Sequence, residues 1–204
     1  MTTTAAGTEL TVGSFGLLDE AVRPLLDELA REYSSRYGDH FGVDALRQEL
    51  ERYPAHQFAA PDGDLILLLE DGVAVAGGAY RLRAEPELGD AARLTRPGTR
   101  DADGLPTVRT AEYKRIWTSA AHRRRGLSRR VLAELETRAA AAGYERLYLT
   151  TGPRQPEAAA LYLATGFTPL FDTDADPEGI GPLAFEKWLC TDPPPSRPSP
   201  TSPE

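Results

Sequence analysis

The sequence predicts a single domain of the α/β or α+β class, with helices packed on a mixed sheet. Segments with strand and helix patterns alternate along the chain, which is typical of layered folds. Of the 204 residues, 41% are apolar, which is enough for one ordinary hydrophobic core. An Asp-Gly dipeptide at Asp71-Gly72 separates two apolar runs, and this is a strong signal for a hairpin.

The N-terminal part of the chain is predicted to be a short leader followed by two helices. Residues 1–10 are small and polar without periodicity, so we expect a flexible leader. Apolar residues at three- and four-residue spacing between Val22 and Tyr33 indicate a helix that ends near Gly38. A shorter helix is predicted over residues 43–50.

A hairpin and a long loop are expected next. The apolar runs 65–69 and 73–82 flank the Asp-Gly turn and are predicted to pair with each other. Residues 84–109 are rich in proline, glycine and aspartate and show no helical or strand period. A loop of this length within a compact domain is either a functional flap or disordered, and the sequence leaves both readings open.

The central stretch EYKRIWTSAAHRRRGLS, Glu112 to Ser128, runs from a strand through an arginine-rich loop into a helix over 127–142, which Gly143 ends. Five arginines lie within eight residues: Arg123, Arg124, Arg125, Arg129 and Arg130. The chain as a whole carries a net charge of −8, so this cluster opposes the overall field. Unpaired N–H groups in the first turn of a helix favour a phosphate. The alternative is an ordinary helix start with solvated arginines.

The C-terminal part is predicted to complete the sheet. We expect a buried strand over 146–150, a short helix over 157–165, and final strands over 167–171 and 183–189. The folded domain is then predicted to span 11–190. The proline-rich tail 191–204 is expected to be disordered.

Two motifs resemble those of a known family. The loop Arg123-Arg124-Arg125-Gly126-Leu127-Ser128 resembles the R/Q-x-x-G-x-G/A pyrophosphate loop of the GNAT superfamily of N-acetyltransferases, with serine as the last small residue. The segment from Gln155 to Tyr162, with Gly166-Phe167, is similar to the later motif N-x-x-A-x-x-L-Y-x-x-x-G-F, with glutamine for asparagine. The resemblance covers residues 65–171 and extends to a bacterial branch whose substrates are mostly unassigned. It implies a mixed, mostly antiparallel sheet flanked by helices in one domain.

The resemblance also implies a mechanism, in which an amine attacks the thioester of acetyl-CoA directly. Tyr162 matches the tyrosine that protonates the departing thiolate, although it could instead only pack on its helix face. Glu112 is the leading candidate for the base, and the alternative is a surface glutamate paired with Lys114 or Arg115. With strict alternation, neither face of this strand would be uniformly apolar, and a β-bulge would remove this conflict.

The same resemblance assigns a set of coenzyme-binding residues. The expected contacts are Ile116, Trp117, Thr118, Arg123, Arg124, Arg125, Gly126, Leu127, Ser128 and Gln155. The first three would offer backbone N–H groups of the bulged strand to the thioester carbonyl. Tyr33 and Tyr37 are candidates for a substrate mouth, and ordinary surface positions explain them about equally well.

Other classes of function are less well supported. The acidic balance disfavours general nucleic-acid binding, which leaves a contact through the arginine cluster as a weak rival. The three histidines lack metal-ligand spacing, so we expect no metal. No signal-peptide or membrane-spanning pattern is present and Cys190 is the single cysteine, so we expect a cytoplasmic protein with no membrane partner. The acceptor would be a small-molecule or protein amine, a non-catalytic acyl-CoA sensor is the alternative, and a homodimer stays open.

Overall fold

A computed structural model describes residues 9–38, 52–83 and 108–189. The helix predicted over 43–50, nearly all of the loop predicted over 84–109, and the tail 191–204 lie outside these residues. Most of the predicted leader does so too.

The described strands form one sheet of seven, in the order β1-β2-β3-β4-β5-β7-β6. Their bounds are β1 Leu10–Ser14, β2 Asp64–Glu70, β3 Val73–Leu82, β4 Thr110–Thr118, β5 Arg146–Thr151, β6 Thr168–Pro169 and β7 Leu183–Trp188. All neighbouring strands are antiparallel except β4 and β5, which are parallel. The mostly antiparallel mixed sheet that the sequence predicts is therefore confirmed.

Helices cover both faces of this sheet. They are α1 Arg23–Tyr37, α2 Leu127–Ala141, α3 Pro156–Leu163 and α4 Pro177–Ile180, with 3₁₀ turns at Glu20–Val22, Ala55–Phe58 and Ala120–His122. Pro24 lies in the first turn of α1, where its missing N–H has no helical partner to lose. Within the described ranges, no helix is long and apolar enough to cross a membrane.

The core lies in two layers because side chains of β2 alternate between the two faces of the sheet. Leu65 and Leu67 pack in the α1 layer, whereas Ile66 and Leu68 pack in the α2 layer. All four are fully buried. A strand with both faces apolar must be covered on both sides, and the helices provide that cover.

The pairing of β4 with β5 is short, and this leaves a gap in the sheet between the two strands. Parallel pairs run only from Thr110 with Arg146 to Glu112 with Tyr148. Beyond Glu112 the two strands separate. On its other side β4 pairs with β3 through a bulge, which lies between the pairs formed by Lys114 and Trp117. Arg115, inside the bulge, has a φ of 57°. The bulge that the sequence suggests is therefore present.

Three features differ from the sequence prediction. The first strand, β1, was not predicted, because its sequence LTVGS is short and carries small residues. The connecting segment 172–182 contains the four-residue helix α4. The strand predicted over 167–171 is only two residues long, since pairing between β6 and β7 is limited to Thr168 and Pro169.

Candidate active site

A cleft of about 940 Å³ lies between the separated ends of β4 and β5. One wall is β4 from Tyr113 to Thr118. The others are the start of α2, the loop 151–155, the inner face of α3, and α1. The cleft forms where β4 and β5 no longer hydrogen-bond to each other, so it exposes backbone as well as side chains.

The start of α2 forms the end of the cleft that suits an anion. Gly126 is the N-cap and has a φ of 77°, a left-handed conformation that favours glycine. A Cβ added there would meet nothing within 4 Å, so the space in front of the backbone is open. The Ser128 and Thr118 hydroxyls lie 2.8 Å apart and join the first turn of α2 to the end of β4. N–H groups of this turn are therefore available to a phosphate beside β4.

The arginines of this loop divide between the cleft and the surface. Arg123, Arg124 and Arg129 line the cleft. Arg125 instead forms two hydrogen bonds to Glu70, at 3.0 and 2.5 Å, and this contact holds the pKa of Glu70 below its ordinary value. The expectation that the Arg125 side chain contacts the coenzyme is therefore corrected, because that side chain lies outside the cleft.

The β4 wall is held in place from α1. Ile116, Trp117 and Thr118 line the cleft. The indole Nε1 of Trp117 donates to Glu28 Oε2 at 3.0 Å, and the backbone N–H of Ala120 donates to the same oxygen at 3.1 Å. Glu28 thus fixes the end of β4 against the helix that crosses it.

Tyr162 lines the cleft from α3 and is 6% exposed. Its ring packs edge-on against Phe167 and tilted against Phe185, at centroid distances of 5.8 and 5.6 Å. Burial raises the pKa of Tyr162 well above its ordinary value, and the nearby Tyr33 adds to the effect. The phenol is therefore protonated at neutral pH and can donate a proton to an anion formed beside it.

A model of the acetyltransferase (GNAT) family matches residues 23–167 of this sequence. The chain belongs to this family. It is therefore an enzyme of the acetyltransferase class. No curated protein matches the sequence.

Solved structures with the same fold include acetyltransferases with bound coenzyme. PaiA N-acetyltransferase from Thermoplasma acidophilum, in complex with coenzyme A, is 12% identical with a TM-score of 0.59 over 88% of this chain and 99% of that one. YncA from Salmonella typhimurium, with its cofactor acetyl-CoA, is 15% identical with a TM-score of 0.55 over 92% and 98%. An acetyltransferase from Streptococcus agalactiae 2603 is 15% identical with a TM-score of 0.57 over 88% and 98%. At these identities the likeness shows the fold.

In this acetyltransferase Glu112 does not line the cleft, and the structure corrects its expected role as the base. Its side chain is 3% exposed and forms ion pairs with Arg81, Arg83 and Lys114 at 2.5, 3.2 and 3.0 Å. A carboxylate engaged by three cations and removed from the cleft is a structural group. The alternative from the sequence, a surface glutamate paired with Lys114 or Arg115, agrees with the structure in the Lys114 pair but not in exposure, because Glu112 is buried.

In the part of the chain that the structure describes, three carboxylates line the cleft, and sequence reasoning missed them. Glu32 and Glu157 both pair with Arg36, and Glu178 pairs with Arg154 at 3.0 Å. Burial acts to raise the pKa of Glu157, but the hydrogen bond and charge of Arg36 outweigh it, and the pKa lies below its ordinary value. The pairs Arg36–Glu157 and Arg154–Glu178 join residues 121 and 24 apart, so the sequence carries no local signal for them. Glu32 and Arg36, in contrast, are four residues apart on α1.

The remaining candidates belong to α1 and to the loop before α3. Tyr33 and Tyr37 both line it. The Tyr37 hydroxyl accepts a hydrogen bond from the backbone N–H of Arg154 at 3.0 Å, and burial raises the pKa of Tyr37. Gln155 Oε1 accepts from the Thr151 hydroxyl at 2.9 Å and from a backbone N–H at 3.2 Å, which fixes the loop before α3. Among the residues that the structure describes, no cluster could hold a metal ion.

Proposed function

We propose that this enzyme transfers the acetyl group of acetyl-CoA directly to a primary amine of a small molecule or protein. One observation carries the proposal. A single cleft connects the open N-terminus of α2, the bulged wall of β4 and the buried phenol of Tyr162. A ligand with phosphates at one end and a reactive thioester at the other matches that order.

The coenzyme pyrophosphate would lie on the turn from Gly126 to Ser128, where N–H groups and the helix dipole favour negative charge. Arg124 lines the cleft beside this turn and adds a cation. The pantetheine arm would follow β4, whose β5 side is unpaired beyond Glu112. Backbone N–H groups from Ile116 to Thr118 would then face the thioester carbonyl, and one such donor contributes about 3 kcal/mol to stabilising the oxyanion.

The reaction needs one bond made and one broken. The neutral amine nitrogen attacks the thioester carbon, and the carbon–sulfur bond breaks as the amide forms. Tyr162 donates its proton to the thiolate. The proton lost from the amine passes into solvent in the open cleft, and solvent returns a proton to Tyr162. Because the cleft carboxylates at Glu32, Glu157 and Glu178 are paired with arginines, we propose that the amine enters uncharged.

The test is release of coenzyme A thiol from acetyl-CoA with a panel of amines, with Tyr162→Phe measured alongside. Loss of a positioned acid lowers the rate by about 10²–10⁴-fold, so kcat should fall by that factor while acetyl-CoA affinity stays unchanged. Tyr80→Phe is the matched control, because Tyr80 is also buried but lies outside the cleft.

Turnover that Tyr162→Phe leaves at the wild-type rate would contradict the assigned role of the phenol. Tight acetyl-CoA binding without thiol release for any amine would instead favour the sensor alternative.

A further inference from the structure

We propose that Arg154 recognises a carboxylate on the acceptor, so that the preferred substrate of this enzyme is an amine that also carries a carboxylate. The inference rests on the proposed function, because it concerns the second substrate of the same cleft. Arg154 lines the cleft on the loop before α3.

The part of the cleft that remains for an acceptor follows from where the coenzyme would lie. The phosphates and the thioester take the α2 end and the β4 wall. Apart from those two parts, the described lining includes Tyr33, Tyr37, Arg154, Glu178 and Pro182. Arg154 is the arginine among the described residues of this remaining part, and its side chain is 30% exposed.

Arg154 is held in place by α1 before any ligand arrives. Its backbone N–H donates to the Tyr37 hydroxyl at 3.0 Å, and its carbonyl accepts from Arg36 Nη1 at 2.5 Å. Its own Nη1 donates to the Arg36 carbonyl at 3.1 Å. A Cβ at Gly152 would lie 2.0 Å from the Tyr37 hydroxyl oxygen, so glycine there permits this close contact. An arginine ordered in this way loses little further conformational entropy when it binds an anion.

The other edge of the Arg154 guanidinium already holds a carboxylate. Nη2 donates to Glu178 Oε2 at 3.0 Å. The Glu178 side chain is 58% exposed and belongs to the four-residue helix α4. Ion pairs at such exposed positions contribute little to stability, so a substrate carboxylate can replace Glu178 at little cost. The pair shows that this edge accepts a carboxylate, and a guanidinium binds one most strongly through two parallel hydrogen bonds.

A purely cationic acceptor, such as a polyamine, fits this end less well. Such a ligand needs a carboxylate partner, but Glu32 and Glu157 are both engaged by Arg36. The side chains of Glu157 and Glu178 are similarly exposed, at 56% and 58%, but each already pairs with an arginine, so a cationic acceptor would have to displace Arg36 or Arg154. Glu178 in addition competes with an incoming carboxylate for Arg154. The two readings therefore predict opposite effects of removing the charge of Glu178.

The inference is tested by calorimetry on protein saturated with coenzyme A, titrated with matched pairs of amines. Phenylalanine is compared with phenethylamine, and ornithine with putrescine. We expect the carboxylated member of a pair to bind at least tenfold more tightly. Arg154→Gln should abolish this preference, and Arg154→Lys should restore part of it.

Glu178→Gln is the reciprocal variant and should strengthen binding of the carboxylated amine. The measured quantity is the ratio of the affinity for the carboxylated amine to that for the plain amine. A general loss of loop structure would weaken the binding of both amines and leave this ratio unchanged. Equal affinity for both members of each pair, failure of every carboxylated amine to bind, or weaker amine binding in Glu178→Gln would overturn the inference. Thiol release is measured separately, so a failure of the proposed function is recognised independently of binding.

Discussion

Replacement of Glu112 by glutamine tests whether this residue stabilises the fold or takes part in the reaction. The carboxylate lies among Arg81, Arg83 and Lys114, and Glu112 is 2% exposed. Glutamine preserves the shape of the side chain and removes its charge. The variant therefore leaves three neighbouring cations without this shared counter-charge.

The expected loss of stability follows from this geometry. Removing one partner of a buried ion pair costs about 3–5 kcal/mol, and since Lys114 is 17% exposed we expect the lower end, about 3 kcal/mol. For a domain of this size, 1 kcal/mol shifts Tm by about 2–4 °C, so Glu112→Gln should lower Tm by about 6–12 °C. Turnover measured well below that midpoint should stay close to wild type.

Thermal unfolding followed by circular dichroism measures the change in Tm, and thiol release measures turnover. Glu136→Gln is the matched control, because Glu136 pairs with Lys187 at 2.6 Å while 34% exposed. Such a surface pair contributes about 0–1 kcal/mol, so this control should change Tm little. A Glu112→Gln protein with the wild-type Tm and a kcat lowered a hundredfold would refute the structural assignment and reinstate Glu112 as the base.

Two other predictions concern the turn at Gly126 and the ion pair between Glu157 and Arg36. Gly126→Val should weaken coenzyme A binding at least tenfold, as measured by calorimetry, because a side chain would occupy the space where the phosphate approaches the backbone. Gly143→Val is its control, since Gly143 has a φ of 78° and equally open space, so it carries similar strain of about 1–2 kcal/mol away from the cleft. Because the folded-state pKa of Glu157 is depressed, the stability from its pairing with Arg36 is present above its unfolded-state pKa of about 4.3 and is lost as the pH falls through the lower folded value. The Tm difference between wild type and Glu157→Gln should therefore be present at neutral pH and vanish in acid, and a constant difference would contradict this account.

The sequence predicts those parts of the site that depend on local signals. The helix α2 follows from apolar periodicity, and the turn before it follows from a glycine that adopts a left-handed conformation. The bulge in β4 is signalled by a failure of strand alternation, because neither face of the segment is uniformly apolar. These features are encoded within a few residues, so spacing alone is enough to find them.

Several contacts that the sequence does not predict join residues that are distant in the chain. Glu112 is a candidate base by its position in β4, but one of its partners, Arg81, is 31 residues away on β3. The contact between Arg36 and Arg154 joins residues 118 apart. Arg125 has the same sequence environment as Arg124, yet its side chain turns to Glu70. Such choices depend on which elements become neighbours after folding, and local patterns do not specify this.

The early end of the β4–β5 pairing makes the coenzyme a potential part of the sheet itself. Past Glu112 the ladder lacks a strand, and the two amide groups of a pantetheine arm can form strand-like hydrogen bonds with the β4 edge. Ligand supply and folding stability are then linked by mass action. Free coenzyme at 100 times its Kd adds about 2.7 kcal/mol to the free energy of unfolding. In the proposed function, bound coenzyme would thus complete the sheet on the open side of β4.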